Sequence, residues 1–106
     1  MAAYLIAHRR DITDSETLKK YRDGIEETLN KFGGEVLSRE DGFEVLEGSW
    51  HPGEKGDDEH PERVTVIRFP DMAALKGWYD SEDYAPLKAI RKKSAKTDVV
   101  AVEGGV

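Results

Sequence analysis

The sequence predicts an α+β domain: a four-stranded antiparallel sheet with helices packed on one face. Two observations carry this. Short apolar segments and helix-periodic segments follow one another in the order β-α-β-β-α-β. The strand segments are also apolar at successive positions, so both faces of the sheet are apolar while helices can cover only one.

Each element has a local cause. Ala3–His8 is a short apolar run and reads as the first strand. Asp14 is placed to cap a helix, with Glu16 in its first turn favouring the helix dipole. Leu18, Tyr21, Ile25, Leu29 and Phe32 recur at helical spacing, and Gly33–Gly34 stops the run. Glu35–Arg39 reads as the second strand. Asp41–Gly42 suits a tight turn, and Phe43–Gly48 resumes extended structure. His51–Glu62 holds two glycines, two prolines and no large apolar residue, so it reads as a solvated loop. Within it, residues 53–60 are expected to be mobile. Arg63–Phe69 is the most strand-like segment, and Pro70 ends it. Asp71 caps a second helix carrying Met72, Leu75, Trp78 and Tyr79. Pro86 fits the first turn of a third helix if Asp83 is its cap, with Leu87 and Ile90 facing inward. Thr97–Glu103 is the last strand. This is the ferredoxin-like βαββαβ pattern, and its second apolar face calls for another copy of the chain laid sheet to sheet.

Composition narrows the function classes. The 106 residues make one domain, residues 1–106. With 22 acids against 16 bases the net charge is −6, which disfavours nucleic acid and anionic membranes as partners. There is no cysteine, which excludes disulfides and thiolate chemistry and fits the cytoplasm. The N-terminus lacks the charge order of a signal peptide, and no run approaches the ~20 apolar residues of a membrane span. No glycine-rich phosphate loop, H-E-x-x-H or G-x-S-x-G element occurs, and no cofactor or metal is expected.

The segments EVLEGSWHP, RVTVIRFPDMAALKGWYDSEDYAPLKAIR and DVVAVEG resemble the domain of unknown function 1330 family, within the dimeric α/β-barrel superfamily. The resemblance runs from Ala3 to Gly105, and residues 53–60 stand as an insertion against it. It implies a ferredoxin-like fold and a homodimer, and brings no reaction with it.

Several residues are candidates for a site. Glu47 and Trp50 end the Phe43–Gly48 segment; they are a general base and a pocket lid, or an ion-paired, packed sheet edge. His8 can exchange protons near neutral pH, or it is a strand-end histidine beside the solvated Arg9 and Arg10. Arg68 lies between Ile67 and Phe69, where a charge needs either a ligand anion or a partner such as Glu47. Trp78, Tyr79 and Tyr84 line a pocket for a planar ligand or pack the core. Lys88, Arg91, Lys92, Lys93 and Lys96 read as ordinary complements to a helix C-terminus in preference to a phosphate site. His51, Asp57, Asp58, Glu59 and His60 are metal-capable types without a ligand spacing. The expected function is binding of a small acidic or aromatic molecule between sheet and helices. The alternatives are a cofactorless isomerase or monooxygenase, with His8 or Glu47 moving a proton, and a protein-interaction module using the acidic loop.

Overall fold

A computed structural model describes residues 1–10, 14–38, 44, 46, 47 and 63–104. The elements are β1 (Ala3–Arg10), α1 (Ser15–Asn30), β2 (Glu35–Ser38), β3 (Arg63–Phe69), α2 (Met72–Tyr79), α3 (Ala85–Ser94) and β4 (Lys96–Glu103). They form an α+β, ferredoxin-like arrangement, with a four-stranded sheet in the order β2-β3-β1-β4. Every described pairing is antiparallel. Among the described residues, no helix is long and apolar enough to cross a membrane.

The sheet's two faces follow from the pleat, since alternate residues point to opposite sides. Ala3, Leu5 and Ala7 of β1 are buried on one face, together with Ile67 and Phe69 of β3. The helices lie on this face; Leu18, Tyr21, Ile25 and Leu29 of α1 join the same core, as do Leu75 and Trp78 of α2. The opposite face carries Tyr4 and Ile6, with Val66 and Val100 flanking Ile6 and with Val102 beside Tyr4. Val100 and Val102 are 53% and 47% exposed there, apolar surface that none of the described helices covers.

Local chemistry sets the helix ends. Asp14 accepts from the Thr17 amide at 3.1 Å and from the Thr17 hydroxyl at 2.6 Å, satisfying one of the orphan donors of α1. Asp71 caps α2 by accepting from Ala74 N at 2.7 Å. At the far end of α1, Gly33 adopts φ 74, a left-handed conformation that glycine tolerates. The Gly34 amide then reaches back to Leu29 O at 2.9 Å. A side chain at Gly34 would meet Leu29 and Phe69 at 2.9 Å, so the chain can pass there only without one.

Some boundaries differ from expectation. The cap of α3 is Tyr84, not Asp83, which puts Pro86 in the first turn where its missing N–H costs nothing. Ser81 organises this junction: its hydroxyl donates to Trp78 O at 2.7 Å and accepts from Tyr84 N at 3.2 Å. Asp83 instead accepts from Lys31 Nζ at 2.7 Å, an exposed pair contributing ~0–1 kcal/mol. Glu44, Leu46 and Glu47 are not in a strand, and β3 pairs with β2 and β1. The rest of the expected Phe43–Gly48 strand, Trp50, and the 53–60 loop with its metal-capable types lie outside the described residues.

The core centres on Trp78, which is 1% exposed. Its ring lies 4.0 Å from that of Tyr84 and 5.6 Å from that of Phe69. Its indole N–H donates to Thr28 Oγ1 at 3.0 Å, and Thr28 donates in turn to Ile25 O at 2.7 Å. Thr28→Val keeps the volume and removes the acceptor, stranding a buried donor. We expect a loss of ~1–3 kcal/mol in denaturant unfolding. Adding Trp78→Phe should make the second change cheaper than Trp78→Phe alone. Strict additivity of the two changes would show that the hydrogen bond contributes nothing.

Candidate functional site

A narrow cavity lies between the inner sheet face and the helices. Its volume is about 30 Å³ as traced by the centre of a water-sized sphere. One water needs ~10–15 Å³ on that measure, so a compact molecule of a few heavy atoms fits. Leu5 and Ala7 of β1, Val36 of β2, and Thr65 and Ile67 of β3 form its sheet side. α1 contributes Tyr21, Arg22 and Ile25; Trp78 comes from α2, and Tyr84 and Arg91 from the start and the last turn of α3. Arg9 closes the end of β1.

Periodicity places the polar groups. Arg9 shares the pleat of Ala3, Leu5 and Ala7, so it faces the helices and is buried. Arg91 falls on the stripe of Tyr84 and Leu87, at helical spacing, and is only 5% exposed. Arg22 stands one residue after Tyr21 and is exposed, at the rim.

The polar end of the cavity is a connected cluster. Arg91 Nη1 donates to the Tyr84 hydroxyl at 3.1 Å, and the Tyr84 and Tyr21 hydroxyls share a hydrogen bond of 2.9 Å. The two rings meet edge on, with centroids 6.1 Å apart. The Arg9 guanidinium lies 5.6 Å from the Tyr21 ring centre, a cation–π placement. Arg91 Nε is buried with no hydrogen-bond partner among the described residues. No aspartate or glutamate lines the cavity among the described residues. The two phenols have two protons and one bond between them, and Arg91 can only donate. Among the described residues one phenol O–H therefore remains to be satisfied, whichever way the shared bond points. The described part of the cluster has donors in excess of acceptors.

Burial pushes the Tyr84 phenol above its ordinary range; the neighbouring Tyr21 adds to this and Arg91 partly opposes it. Burial disfavours the Arg91 cation, but the oxygens of Tyr84, Tyr21 and Tyr79 outweigh that and hold its pKa above the usual arginine value. Tyr84 is therefore a neutral donor and Arg91 a cation.

The sequence candidates are distributed differently from expectation. Trp78 and Tyr84 line the cavity. Tyr79 is half-buried beside Tyr84 at 6.0 Å, with Lys88 Nζ 4.1 Å from its ring centre, and it lines an adjoining cleft with Arg91, Lys92 and Lys96. Arg68 is exposed on the other face of the sheet, opposite Glu35 and Tyr4 in register. Its neighbours Ile67 and Phe69 point inward, and the pleat turns the charge outward. Glu47 is exposed and does not line the cavity. His8 is buried on the outer face, opposite Val64 and Asp98 in register, so it too is absent from the cavity lining. The late basic cluster divides: Lys92 and Lys93 are exposed as helix-end cations, whereas Arg91 turns inward. Arg9 and Arg91 line the cavity, whereas the sequence reads them as a solvated strand-end arginine and a complement to a helix C-terminus. Their phase with the apolar positions was the available signal. Among the described residues, no group of three metal-ligating side chains occurs.

The raised phenol pKa of Tyr84 predicts an alkaline limit. The folded value lies above the unfolded one of ~10, so the stability this group contributes is full below that pH and is lost as pH rises above it. Unfolding free energy measured between about pH 9 and 11 should fall with pH, and Tyr84→Phe should flatten the slope. An identical slope in the variant would show that Tyr84 ionises freely in the fold.

Three solved structures of similar fold are informative, all at low identity. A protein of unknown function from Rhodopseudomonas palustris matches with a TM-score of 0.68 at 15% identity, over 99% of this chain and 83% of the other. A dimeric ferredoxin-like protein of unknown function from Jannaschia sp. CCS1 matches with a TM-score of 0.67 at 13% identity, over 98% and 100%. The cofactor-independent oxygenase SnoaB from Streptomyces nogalater, solved as a point mutant, matches with a TM-score of 0.59 at 8% identity, over 97% and 92%. These likenesses bear on the fold alone. No curated protein matches the chain. The model of the domain of unknown function DUF1330 matches residues 2–105, and the chain belongs to that family.

Proposed function

We propose that this chain, as a single domain, forms a homodimer through its outer sheet face. In each protomer, the cavity between sheet and helices binds a small acidic or aromatic molecule. The observation that carries the ligand reading is the cavity's composition: apolar walls, a Trp78–Tyr84 aromatic side and the buried Arg91, with no carboxylate among the described lining residues. Such a concave, mostly apolar site with a few convergent polar groups is the usual form of a small-molecule pocket. The half-exposed Val100 and Val102, in line with Tyr4 and Ile6, support the dimer reading. The row Glu35–Arg68–Tyr4–Val102 runs from charged at the β2 edge to apolar at β4, which suits an interface centred towards β4. The cysteine-free composition suits the cytoplasm as its compartment.

A second reading, cofactorless oxygenase or isomerase chemistry, draws on the likeness to the oxygenase SnoaB. Binding is preferred because the described lining carries no carboxylate or imidazole to move a proton, and Tyr84 holds its own proton tightly.

Two measurements test the proposal. Sedimentation velocity at low micromolar concentration should give a dimer, and the double variant Val100→Glu, Val102→Glu should shift it to a folded monomer. A wild-type monomer would sink the interface. Ala7→Leu adds bulk beside Leu5 in the cavity wall. Titration with small aromatic acids should show binding to the wild type and at least about tenfold weaker binding to the folded variant, the equivalent of ~1.4 kcal/mol. Equal affinities would move the binding site elsewhere.

A further inference from the structure

We infer that the ligand is a compact monocarboxylic acid, held by its carboxylate against Arg91 with an apolar body turned towards the sheet. This rests on the reading of the cavity as a ligand site and specifies what that site selects.

Arg91 is 5% exposed and its Nε has no hydrogen-bond partner among the described residues, although it lines the cavity. Burying a guanidinium with an unused donor is costly unless an anion completes it. The Tyr84 and Tyr21 hydroxyls do not complete it: Tyr84 accepts one Arg91 bond, and the phenol pair keeps a proton of its own to donate. Arg9 brings a second buried cation to the same cavity. Arg91 Nε and the remaining phenol O–H both donate, so the matching ligand group is one that only accepts. An ionised carboxylate has that property and offers two oxygens to a guanidinium.

The sheet side of the cavity suits an apolar body. Leu5, Ala7, Val36 and Ile67 wall it and Thr65 supplies one hydroxyl, so the part of the ligand turned towards the sheet is mostly apolar. The volume admits a compact molecule of a few heavy atoms, such as a short aliphatic chain. The ligand class is therefore a small aliphatic monocarboxylate.

The test compares each acid with its neutral isostere on the full-length protein. Acetate and butyrate are titrated by calorimetry against acetamide and butyramide, with inorganic phosphate as a further probe. The acids should bind at least about tenfold more tightly than the amides, because each amide places an N–H₂ donor among donors. Arg91→Met should bring the acids down to the level of the amides while cooperative thermal unfolding is retained. The wild-type comparison stands by itself if that variant fails to fold. Equal binding of acids and amides would overturn the carboxylate assignment and leave the cavity as a ligand site. Phosphate binding as tightly as the acids would overturn the monocarboxylate class. Binding of neither acids nor amides would overturn this inference, while aromatic acids that fail in wild type and Ala7→Leu alike would overturn the underlying ligand reading.

Discussion

The burial of Trp78 is the constraint on which the rest of the fold depends. An indole can be fully buried only if its N–H finds an acceptor. Thr28 supplies one from α1, and so the bond ties α2 to α1 across the core. The same ring stacks on Tyr84 at the start of α3, and Ser81 closes the short connection between α2 and α3 by bonding to both Trp78 and Tyr84. Three helices are thereby held in one arrangement above the sheet. Phe69 meets the indole from below, which fixes the height of the helical layer over β3.

That arrangement also creates the polar end of the cavity. Tyr84 cannot both stack on Trp78 and turn its hydroxyl to water. It meets Tyr21 and Arg91 instead. A hydroxyl in this position loses hydration, and burial accordingly raises its pKa. Arg91 is drawn inward by the stripe it shares with Tyr84 and Leu87, and Arg9 by the pleat of β1. The cations are thus positioned by the packing of apolar neighbours.

The sheet faces a second constraint. Its inner face is covered by the helices, yet the outer face repeats the apolar character with Tyr4, Ile6, Val66, Val100 and Val102. Arg68 and Glu35 interrupt it towards β2, and Asp98 near the start of β4. The outer face is therefore apolar in a band bordered by charge.

Local features of this molecule were legible without coordinates. The stripe Leu18–Tyr21–Ile25–Leu29, the caps Asp14 and Asp71, the stop at Gly33–Gly34 and the element order all depend on periodicity and on residues a few positions apart. The apolar character of both sheet faces was equally readable from the alternation in β1, β3 and β4. Which face the helices would take was not, because a strand apolar on both sides carries no mark of its inner side. That one choice reassigns the site. It sends Arg68 and His8 to the outer face and brings Arg9 inward, although His8 and Arg9 are adjacent. Arg91 reads as a helix-end charge for a related reason: in a cluster of five cations, Lys88, Arg91, Lys92, Lys93 and Lys96, charge type outweighs phase, and contact with Tyr84 distinguishes the inward arginine from its exposed neighbours Lys92 and Lys93. Periods of 2 and 3.6 define faces. Long-range packing around Trp78 selects which of those faces meet, and the donor-rich cavity exists only where they do.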